Sequence, residues 1–279
     1  MARIKEHFGY DLTDDVRTYT INDRPYLIDL IKQYKILRWR KQNLTPEEFL
    51  TFSEIFGECW ENDDPDLLGG NGEIDSKVPG FNKITRVSNK DQGVLGNYEV
   101  AWHSDVIHKP FYSKGGSTPF RLLYGKQLPT DVPTITKWCD CEYAYDNTPD
   151  ELQELAETLR MFCKAPYQTT WGGNIIPFIS IDPITNRKSF KLEKTFFKNF
   201  LGMSETDSKI LMETYFEYCL VPENIITNVW EIGDILLSNN YNTIHEREAF
   251  TSDEERTLWR TTFQIDELIP VNVRIKDIV

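Results

Sequence analysis

Short β-rich runs are the sequence feature that most constrains the fold of this chain. They are separated by turn residues and recur through the last two thirds of the sequence. The runs are Lys83 to Ser88, Phe120 to Leu128, Thr134 to Trp138, Phe178 to Ile181, Ile225 to Glu231, Asp234 to Ser238 and Leu258 to Ile265. A few helices set among many short strands predict an α+β, mainly β, fold built on a sandwich or a barrel.

Helices are predicted at the edges of this β-rich region. Two capping boxes with proline at the first helical position, Thr45-Pro46-Glu47-Glu48 and Thr148-Pro149-Asp150-Glu151, each predict a helix start. The first of these helices is expected to end at Gly57. A short helix after Arg24, followed by a strand from Tyr34 to Arg40, and a helix beginning near Ser204 complete the set. Their apolar faces are interpreted as packing surfaces.

Composition and charge restrict the function. The 279 residues contain no repeat, low-complexity tract or linker, so one domain spanning residues 1–279 is predicted. The net charge of −13 argues against electrostatic binding of nucleic acid or of an anionic membrane. No apolar run is long enough to cross a bilayer, and no signal sequence precedes the domain. We therefore expect a cytoplasmic protein whose partner is a small molecule, and homo-oligomerisation is left open.

Cysteine usage agrees with a reducing compartment. The five cysteines are odd in number and scattered, so they are interpreted as free thiols; they are Cys59, Cys139, Cys141, Cys163 and Cys219. No second Cys/His pair lies at zinc-finger spacing from Cys139 and Cys141, which argues against a zinc site there.

Histidine is scarce, and its distribution indicates a metal site. The four histidines are His7, His103, His108 and His245. Within Trp102-His103-Ser104-Asp105, an imidazole and a carboxylate stand two residues apart, as in two thirds of a 2-His-1-carboxylate triad for Fe(II). A turn, a strand and a polar loop deliver His245 as the third candidate. His7 is interpreted as a surface residue and His108 as a loop residue that does not bind metal, and any single histidine is more often simply hydrogen-bonded.

Two arginines follow His245 at strand spacing. Arg256 and Arg260 are four residues apart and would point to the same face of a strand. Buried arginines are costly unless they meet anions, and arginine matches a carboxylate bidentately. Together with a metal triad they indicate a ligand with a distal carboxylate. The alternative is a solvated strand edge with ion pairs to Glu254 or Glu255.

These residues, in this order, resemble the Fe(II)/2-oxoglutarate-dependent dioxygenases of the taurine dioxygenase and 2,4-dichlorophenoxyacetate dioxygenase superfamily. The resemblance covers most of the chain and includes Ile36 to Arg40, Leu44 to Glu48, Thr136-Lys137-Trp138, Asp182 to Lys188 and Gly202-Met203-Ser204. It implies a double-stranded β-helix (jelly-roll, cupin-like) core with flanking helices.

The resemblance also implies roles for individual residues. His103, Asp105 and His245 would bind iron, and Arg256 with Thr136 would hold the distal carboxylate of 2-oxoglutarate. Arg260 would face the substrate or support the cosubstrate. Weaker substrate candidates follow in the sequence: Asn97 just before the iron motif, and two segments rich in small and aromatic residues, Ile107 to Thr118 and Ala165 to Asn174, the latter containing Trp171.

Two departures from the family pattern bear on the pocket. Relatives commonly carry Trp-Asp-Asn-Arg before the distal histidine, where this chain has Ser238-Asn239-Asn240-Tyr241, and His-Pro where it has Ile176-Pro177. Both changes are expected to reshape the substrate pocket or the residues behind it.

The chemistry implied is an oxidation with Fe(II) as cofactor and 2-oxoglutarate and O₂ as cosubstrates, which releases succinate and CO₂. Halogenases of this class lack the carboxylate ligand, so Asp105 favours hydroxylation of an unactivated C–H over chlorination. The predicted role is natural product biosynthesis. Desaturation and a catalytically silent jelly-roll that binds a small molecule are the alternatives.

Overall fold

The computed structural model describes residues 2–5, 7–61, 76–90, 96–109, 120–165 and 172–273. Within these ranges there are five α-helices: α1 Arg24–Tyr34, α2 Pro46–Glu54, α3 Cys141–Asp146, α4 Asp150–Thr158 and α5 Glu205–Cys219.

The strands of the same ranges are short and spread over the whole chain. They are β1 Ala2–Arg3, β2 Tyr10–Leu12, β3 Ile36–Trp39, β4 Lys77–Val78, β5 Phe81–Ser88, β6 Val100–His103, β7 Phe120–Gln127, β8 Ile135–Asp140, β9 Arg160–Cys163, β10 Asn174–Pro177, β11 Ile179–Ile181, β12 Lys188–Phe190, β13 Phe197–Phe200, β14 Ile225–Val229, β15 Ile235–Ser238, β16 Thr243–Arg247 and β17 Thr257–Phe263.

Two sheets form the core of the molecule. The major sheet has eight strands in the order β1-β2-β3-β15-β7-β17-β5-β4, and the minor sheet has four in the order β14-β8-β16-β6. Neighbours in both sheets are antiparallel except β2 and β3. Strands from both sheets line one cavity between them, which confirms the predicted jelly-roll.

The period-2 alternation of the major sheet separates the packing face from the cavity face. On β7, Leu122 and Tyr124 join a buried apolar cluster with α1 and α2, whereas Arg121 and Leu123 line the cavity. Because alternate side chains of a strand point to opposite faces, the helices cover one side of the sheet and leave the other side to the site.

Both predicted helices begin where expected, but only one of the two predicted capping boxes is formed. At Thr45 the side chain accepts the Glu48 N–H while the Glu48 carboxylate accepts the Thr45 N–H, so the capping box is complete. Thr148 makes no such contact, because its hydroxyl donates to the Ala144 carbonyl at the end of α3. The helix α3 was not predicted from the sequence, and its last turn accepts the hydrogen bond of the Thr148 hydroxyl. As a result, α4 begins at Asp150 without a side-chain cap.

Other expectations are confirmed with small shifts in their bounds. The helix after Arg24, the strand behind it and the helix capped by Ser204 are all present. The helix that follows Thr45 ends at Glu54, before Gly57. His7 differs from its interpretation as a surface residue, since it is partly buried and its ring stacks 3.9 Å from that of Tyr143.

The five cysteines are all buried free thiols. Across the described part of the chain, no helix has both the length and the apolar character to cross a membrane.

Candidate active site

The two central histidines are brought together by strand pairing in the minor sheet. His103 ends β6 and lies directly opposite His245 on β16 in the antiparallel register. Their ring centroids are 4.2 Å apart. His245 was expected in a polar loop, but Thr243–Arg247 is a strand held between β8 and β6, which fixes the direction of the imidazole.

Asp105 completes the cluster from the turn that follows β6. Its carboxylate oxygens lie 3.8 Å from Nε2 of His103 and 3.8 Å from Nε2 of His245. The ligand atoms of all three residues are within 4.8 Å of one another, and this is the only such group of three or more metal-ligating side chains among the described residues. The structure thus brings together the three residues that the sequence singled out.

The protonation states suit metal binding. Nδ1 of His103 lies 2.7 Å from the Ala101 carbonyl, so Nδ1 carries the proton and Nε2 presents a lone pair to the cluster. Burial lowers the pKa of His103, and burial followed by the nearby His103 lowers the pKa of His245 to about 3. Both imidazoles are therefore neutral at pH 7, as metal ligands must be.

A buried arginine holds the carboxylate in its ionised form. Arg121 Nη1 donates to Asp105 Oδ1 at 2.8 Å. Burial alone would raise the pKa of Asp105, but the charge of the adjacent Arg121 holds it well below its usual range. Two neutral imidazoles and one carboxylate on one wall of a cavity form a donor set that fits Fe(II).

The backbone around Asp105 is held from two sides. Asn240 accepts the Asp105 N–H at 3.1 Å and donates its amide to the Asp105 carbonyl at 3.2 Å. Glu193, fully buried, accepts the Ser104 N–H at 3.0 Å, and Lys194 N–H donates to the Trp102 carbonyl at 2.9 Å. The backbone of the metal motif is therefore hydrogen-bonded to two loops that are distant from it in the sequence.

One of these hydrogen-bonding residues lies in a segment that departs from the family pattern. In the run that replaces Trp-Asp-Asn-Arg, Asn240 supports the Asp105 backbone, and Tyr241 packs edge-on against Phe120. The changed residues are thus next to the motif and in the core behind it, rather than in the cavity lining that the structure describes.

The residues predicted to hold 2-oxoglutarate line the same cavity. Thr136 on β8 is 4% exposed, and its hydroxyl oxygen accepts the indole N–H of Trp230 at 2.9 Å. That contact leaves the hydroxyl proton to donate into the cavity. Arg256 stands just before β17, where Asn89 Oδ1 accepts its backbone N–H at 2.8 Å.

Arg256 and Arg260 are buried, which excludes the solvated-edge alternative. They are 2% and 5% exposed, and Glu254 bonds Thr130 instead. Burial, with the neighbouring Arg247 for Arg256 and Arg121 for Arg260, lowers the pKa of each to about 9, so both guanidinium groups are charged at pH 7.

The cavity itself has a volume of about 70 Å³, room for several water molecules or a small ligand. It is lined by Val87, Val100, His103, Asp105, Arg121, Leu123, Thr136, His245, Arg247, Arg256, Leu258 and Arg260. Sequence reasoning missed Arg121, Arg247, Trp230 and Glu193, since the signal of each depends on which strand faces the cavity.

The remaining site predictions lie elsewhere. Asn97 is outside the described cavity lining; its amide donates to the Ser252 carbonyl at 3.3 Å, and a substrate role stays a prediction. Trp171, residues 110–118 of the first substrate segment and residues 166–170 of the second lie outside the described residues. His108 is buried against Phe196 and is not part of the metal-ligating cluster.

Comparisons with known proteins agree with this geometry. The family model described as "Taurine catabolism dioxygenase TauD, TfdA family" matches residues 2–262. The chain is 25% identical to an alkylsulfatase of Acinetobacter baylyi, over 91% of this chain and 80% of that protein. It is 24% identical to a pentalenolactone F synthase of Streptomyces avermitilis, over 85% of this chain and 84% of that protein.

A solved structure shows the same fold. A crystal structure of a taurine dioxygenase from Burkholderia xenovorans superposes with a TM-score of 0.79 and 23% identity, covering 97% of this chain and 90% of that one. With a family model that spans nearly all of its length, the chain belongs to the TauD/TfdA family of 2-oxoglutarate-dependent dioxygenases and is an oxidoreductase.

Proposed function

We propose that the protein binds Fe(II) through His103, Asp105 and His245 and hydroxylates an unactivated C–H bond of a small molecule. The observation that carries the proposal is the convergence of the three ligand groups within 4.8 Å on the wall of a buried cavity. A 2-His-1-carboxylate set leaves coordination positions for a 2-oxoacid and for O₂. Bound iron would supply the oxidising chemistry, coupled to the conversion of 2-oxoglutarate into succinate and CO₂.

The protein side chains would bind and orient the cosubstrate. Arg256 makes no hydrogen bond through Nε or Nη1 and has no carboxylate within salt-bridge distance among the described residues, so it is poised to bind an anion. The Thr136 hydroxyl, oriented by Trp230, lines the same cavity and would donate to the same carboxylate. Burial of both groups strengthens these contacts, because little water competes for them.

The substrate is proposed to be a small molecule of specialised metabolism. The similarity to a pentalenolactone F synthase supports this class, and the similarity to an alkylsulfatase supports an anionic substrate group near Arg260. The acidic chain, with a net charge of −13, argues against a nucleic-acid substrate.

A spectroscopic test separates an oxygenase from a silent binding protein. Anaerobic addition of Fe(II) and 2-oxoglutarate should produce a visible charge-transfer band, and admission of O₂ should release succinate. His245→Ala should lose both signals because one ligand is removed, whereas His108→Ala, which changes a buried histidine outside the cluster, should keep the band. Absence of the band and of succinate in the unchanged protein would refute the proposal.

The product distinguishes the two oxidations. Mass spectrometry of a turned-over substrate should show the addition of one oxygen atom for hydroxylation. Loss of two hydrogens without added oxygen would instead identify a desaturase.

A further inference from the structure

One residue beside the metal cluster has a backbone conformation that its side chain disfavours. Val106, directly after Asp105, has a φ of 54°, in the left-handed region. A branched Cβ crowds the neighbouring carbonyl groups there, so a β-branched residue adopts this region only at an energetic cost. The other non-glycine residues with positive φ in the described part of the chain are unbranched at Cβ: Lys35, Lys41 and Asn186. The strain at Val106 therefore needs a reason in its surroundings.

The left-handed residue forms part of the turn that carries the predicted carboxylate ligand. β6 ends at His103, and the Lys109 N–H donates to the Val106 carbonyl at 3.0 Å, which closes the turn. In this conformation the Asp105 carboxylate lies 3.8 Å from Nε2 of His103 and 3.8 Å from Nε2 of His245. The direction of the ligand and the conformation of Val106 thus belong to one short turn.

The chain is anchored on both sides of Val106. After it, Ile107 is fully buried in an apolar cluster, and the Asn174 amide donates to two carbonyls of the turn, that of Ile107 at 3.0 Å among them. Before it, the Asp105 backbone is held by Asn240 at both its N–H and its carbonyl. Because both ends are fixed, an extended Val106 could be accommodated only if Asp105 moved.

The Val106 side chain is itself one of the anchors. It is 4% exposed, although it lies in a turn. Exposing it to water would lose the hydrophobic stabilisation of a buried valine, and its branched Cβ leaves it few rotamers. The side chain therefore holds the turn in place, while the same Cβ makes the conformation of the turn costly. A glycine would remove the cost and the anchor together, because glycine adopts the left-handed region freely.

We propose that Val106 is a positioning residue of the metal site: its buried, branched side chain keeps the strained turn in the conformation that directs the Asp105 carboxylate towards His103 and His245. The inference rests on the proposed function, because it takes these three residues as the metal ligands. A ligand that is ordered before the metal arrives loses little conformational entropy on binding. The backbone strain at Val106 is the cost of that order.

Metal affinity measured without turnover tests this role. Mn(II) is titrated by calorimetry into the protein freed of metal. Val106→Gly should weaken Mn(II) binding about tenfold, because a flexible turn has to be ordered when the metal binds. Val106→Ala also lacks the two methyl groups and should weaken binding in the same direction, so either variant suffices if the other fails to fold. A loss below about threefold in the folded variants would overturn the proposal.

Two further variants separate positioning from a general loss of structure. Val106→Thr keeps the branched shape but buries a hydroxyl, so it should lower the melting temperature and still retain the Mn(II) affinity. Lys41→Gly relieves a left-handed residue at an exposed position outside the described cavity lining, and should leave the Mn(II) affinity unchanged. If either variant weakened Mn(II) binding as much as Val106→Gly does, the positioning role would be refuted.

The strain itself is read from thermal melting of the metal-free variants. Val106→Gly should melt about 2–4 °C above Val106→Ala, because alanine keeps the Cβ that the left-handed region disfavours. Equal melting temperatures, or a higher one for Val106→Ala, would contradict the strained turn and with it the proposal.

His245→Ala distinguishes the two ways to fail. If the unchanged protein binds Mn(II), His245→Ala does not, and Val106→Gly binds as tightly as the unchanged protein, the positioning role is refuted and the proposed function stands. If the unchanged protein does not bind Mn(II), or His245→Ala binds it equally well, the proposed function itself fails.

Discussion

Among single residues, Thr136 shows how a neighbour decides what a side chain can do. Its hydroxyl oxygen accepts the Trp230 N–H at 2.9 Å, so the hydroxyl must donate elsewhere, and the cavity is where it faces. The sequence identified Thr136 only through a family resemblance. Trp230 follows β14, and no sequence pattern indicated its role, because Thr136, to which it donates, is 94 residues away.

Thr136→Val should weaken binding of 2-oxoglutarate by about tenfold, because a hydrogen bond to a charged group contributes about 1.5 kcal/mol or more. Trp230→Phe should weaken it less, since the hydroxyl is kept but no longer oriented. Affinity is measured by anaerobic titration of the charge-transfer band.

Thr261→Val is the control for this prediction. It removes another buried threonine hydroxyl, bonded to Ser53 at 2.8 Å on the outer face of β17. It should lower stability without changing 2-oxoglutarate affinity. If Thr136→Val left the affinity within about twofold, the assigned role of the hydroxyl would be wrong.

Among the elements, the turn after β12 is tied to the metal motif. Glu193 accepts the Ser104 N–H through one oxygen and the Thr195 and Phe196 N–H groups through the other. Burial raises the pKa of Glu193 to about 8, although three backbone donors oppose the shift. Because Ser104 stands between His103 and Asp105, this carboxyl group positions both predicted ligands.

Glu193→Ala should lower the affinity for Mn(II), used as a redox-stable probe, by about tenfold or more, as changes behind metal ligands commonly do. Calorimetry on the protein freed of metal reads this directly, without turnover. The Mn(II) affinity of Glu193→Gln should lie between that of Glu193→Ala and that of the unchanged protein, since an amide has only one acceptor oxygen for two sets of donors.

Lys194→Ala provides the comparison on the same turn. Lys194 is exposed, and its backbone N–H to Trp102 survives the substitution. Its Mn(II) affinity should match that of the unchanged protein. Equal affinity of Glu193→Ala and the unchanged protein would show that the turn does not position the motif.

At the scale of the whole molecule, folding also buries a charged side chain that has no hydrogen-bond partner among the described residues. Lys191 is 2% exposed, and its ammonium has no hydrogen-bond partner among the described residues, although it lies 5.1 Å from the ring of Tyr241. Burial lowers the pKa of Lys191 to about 7, from the model-peptide value of 10.5. The unfolded chain therefore binds a proton between these pH values that the folded chain releases, so stability rises with pH across this window.

Lys191→Met should consequently stabilise the fold more at low pH than at high pH. From the pKa shift, the charge contributes an unfavourable free energy of about 4 kcal/mol at pH 7, falling to about 1 kcal/mol at about pH 9.5. Urea unfolding of both proteins at the two pH values measures the difference. A substitution effect that is equal at both would contradict the assigned pKa.

Much of the architecture could be predicted because it follows from local pattern. The strands that contain Phe120, Ile235 and Leu258 have strong period-2 or apolar signals, and the Thr45 capping box is satisfied within four residues. The Thr148 capping box failed because α3, a helix of six residues, had no signal strong enough to predict it and takes the Thr148 hydroxyl.

The candidate site, too, could be predicted from the sequence only in part. The identities of His103, Asp105, His245 and Arg256 are readable from the sequence, because few residue types bind metal or carboxylate and the family order is specific. That these groups meet depends on β6 pairing with β16. The sequence by itself determined which chemistry the chain carries. Tertiary structure alone decided that Arg121 faces Asp105 and Arg260, since contacts between distant strands follow from sheet order and register, which no local pattern encodes.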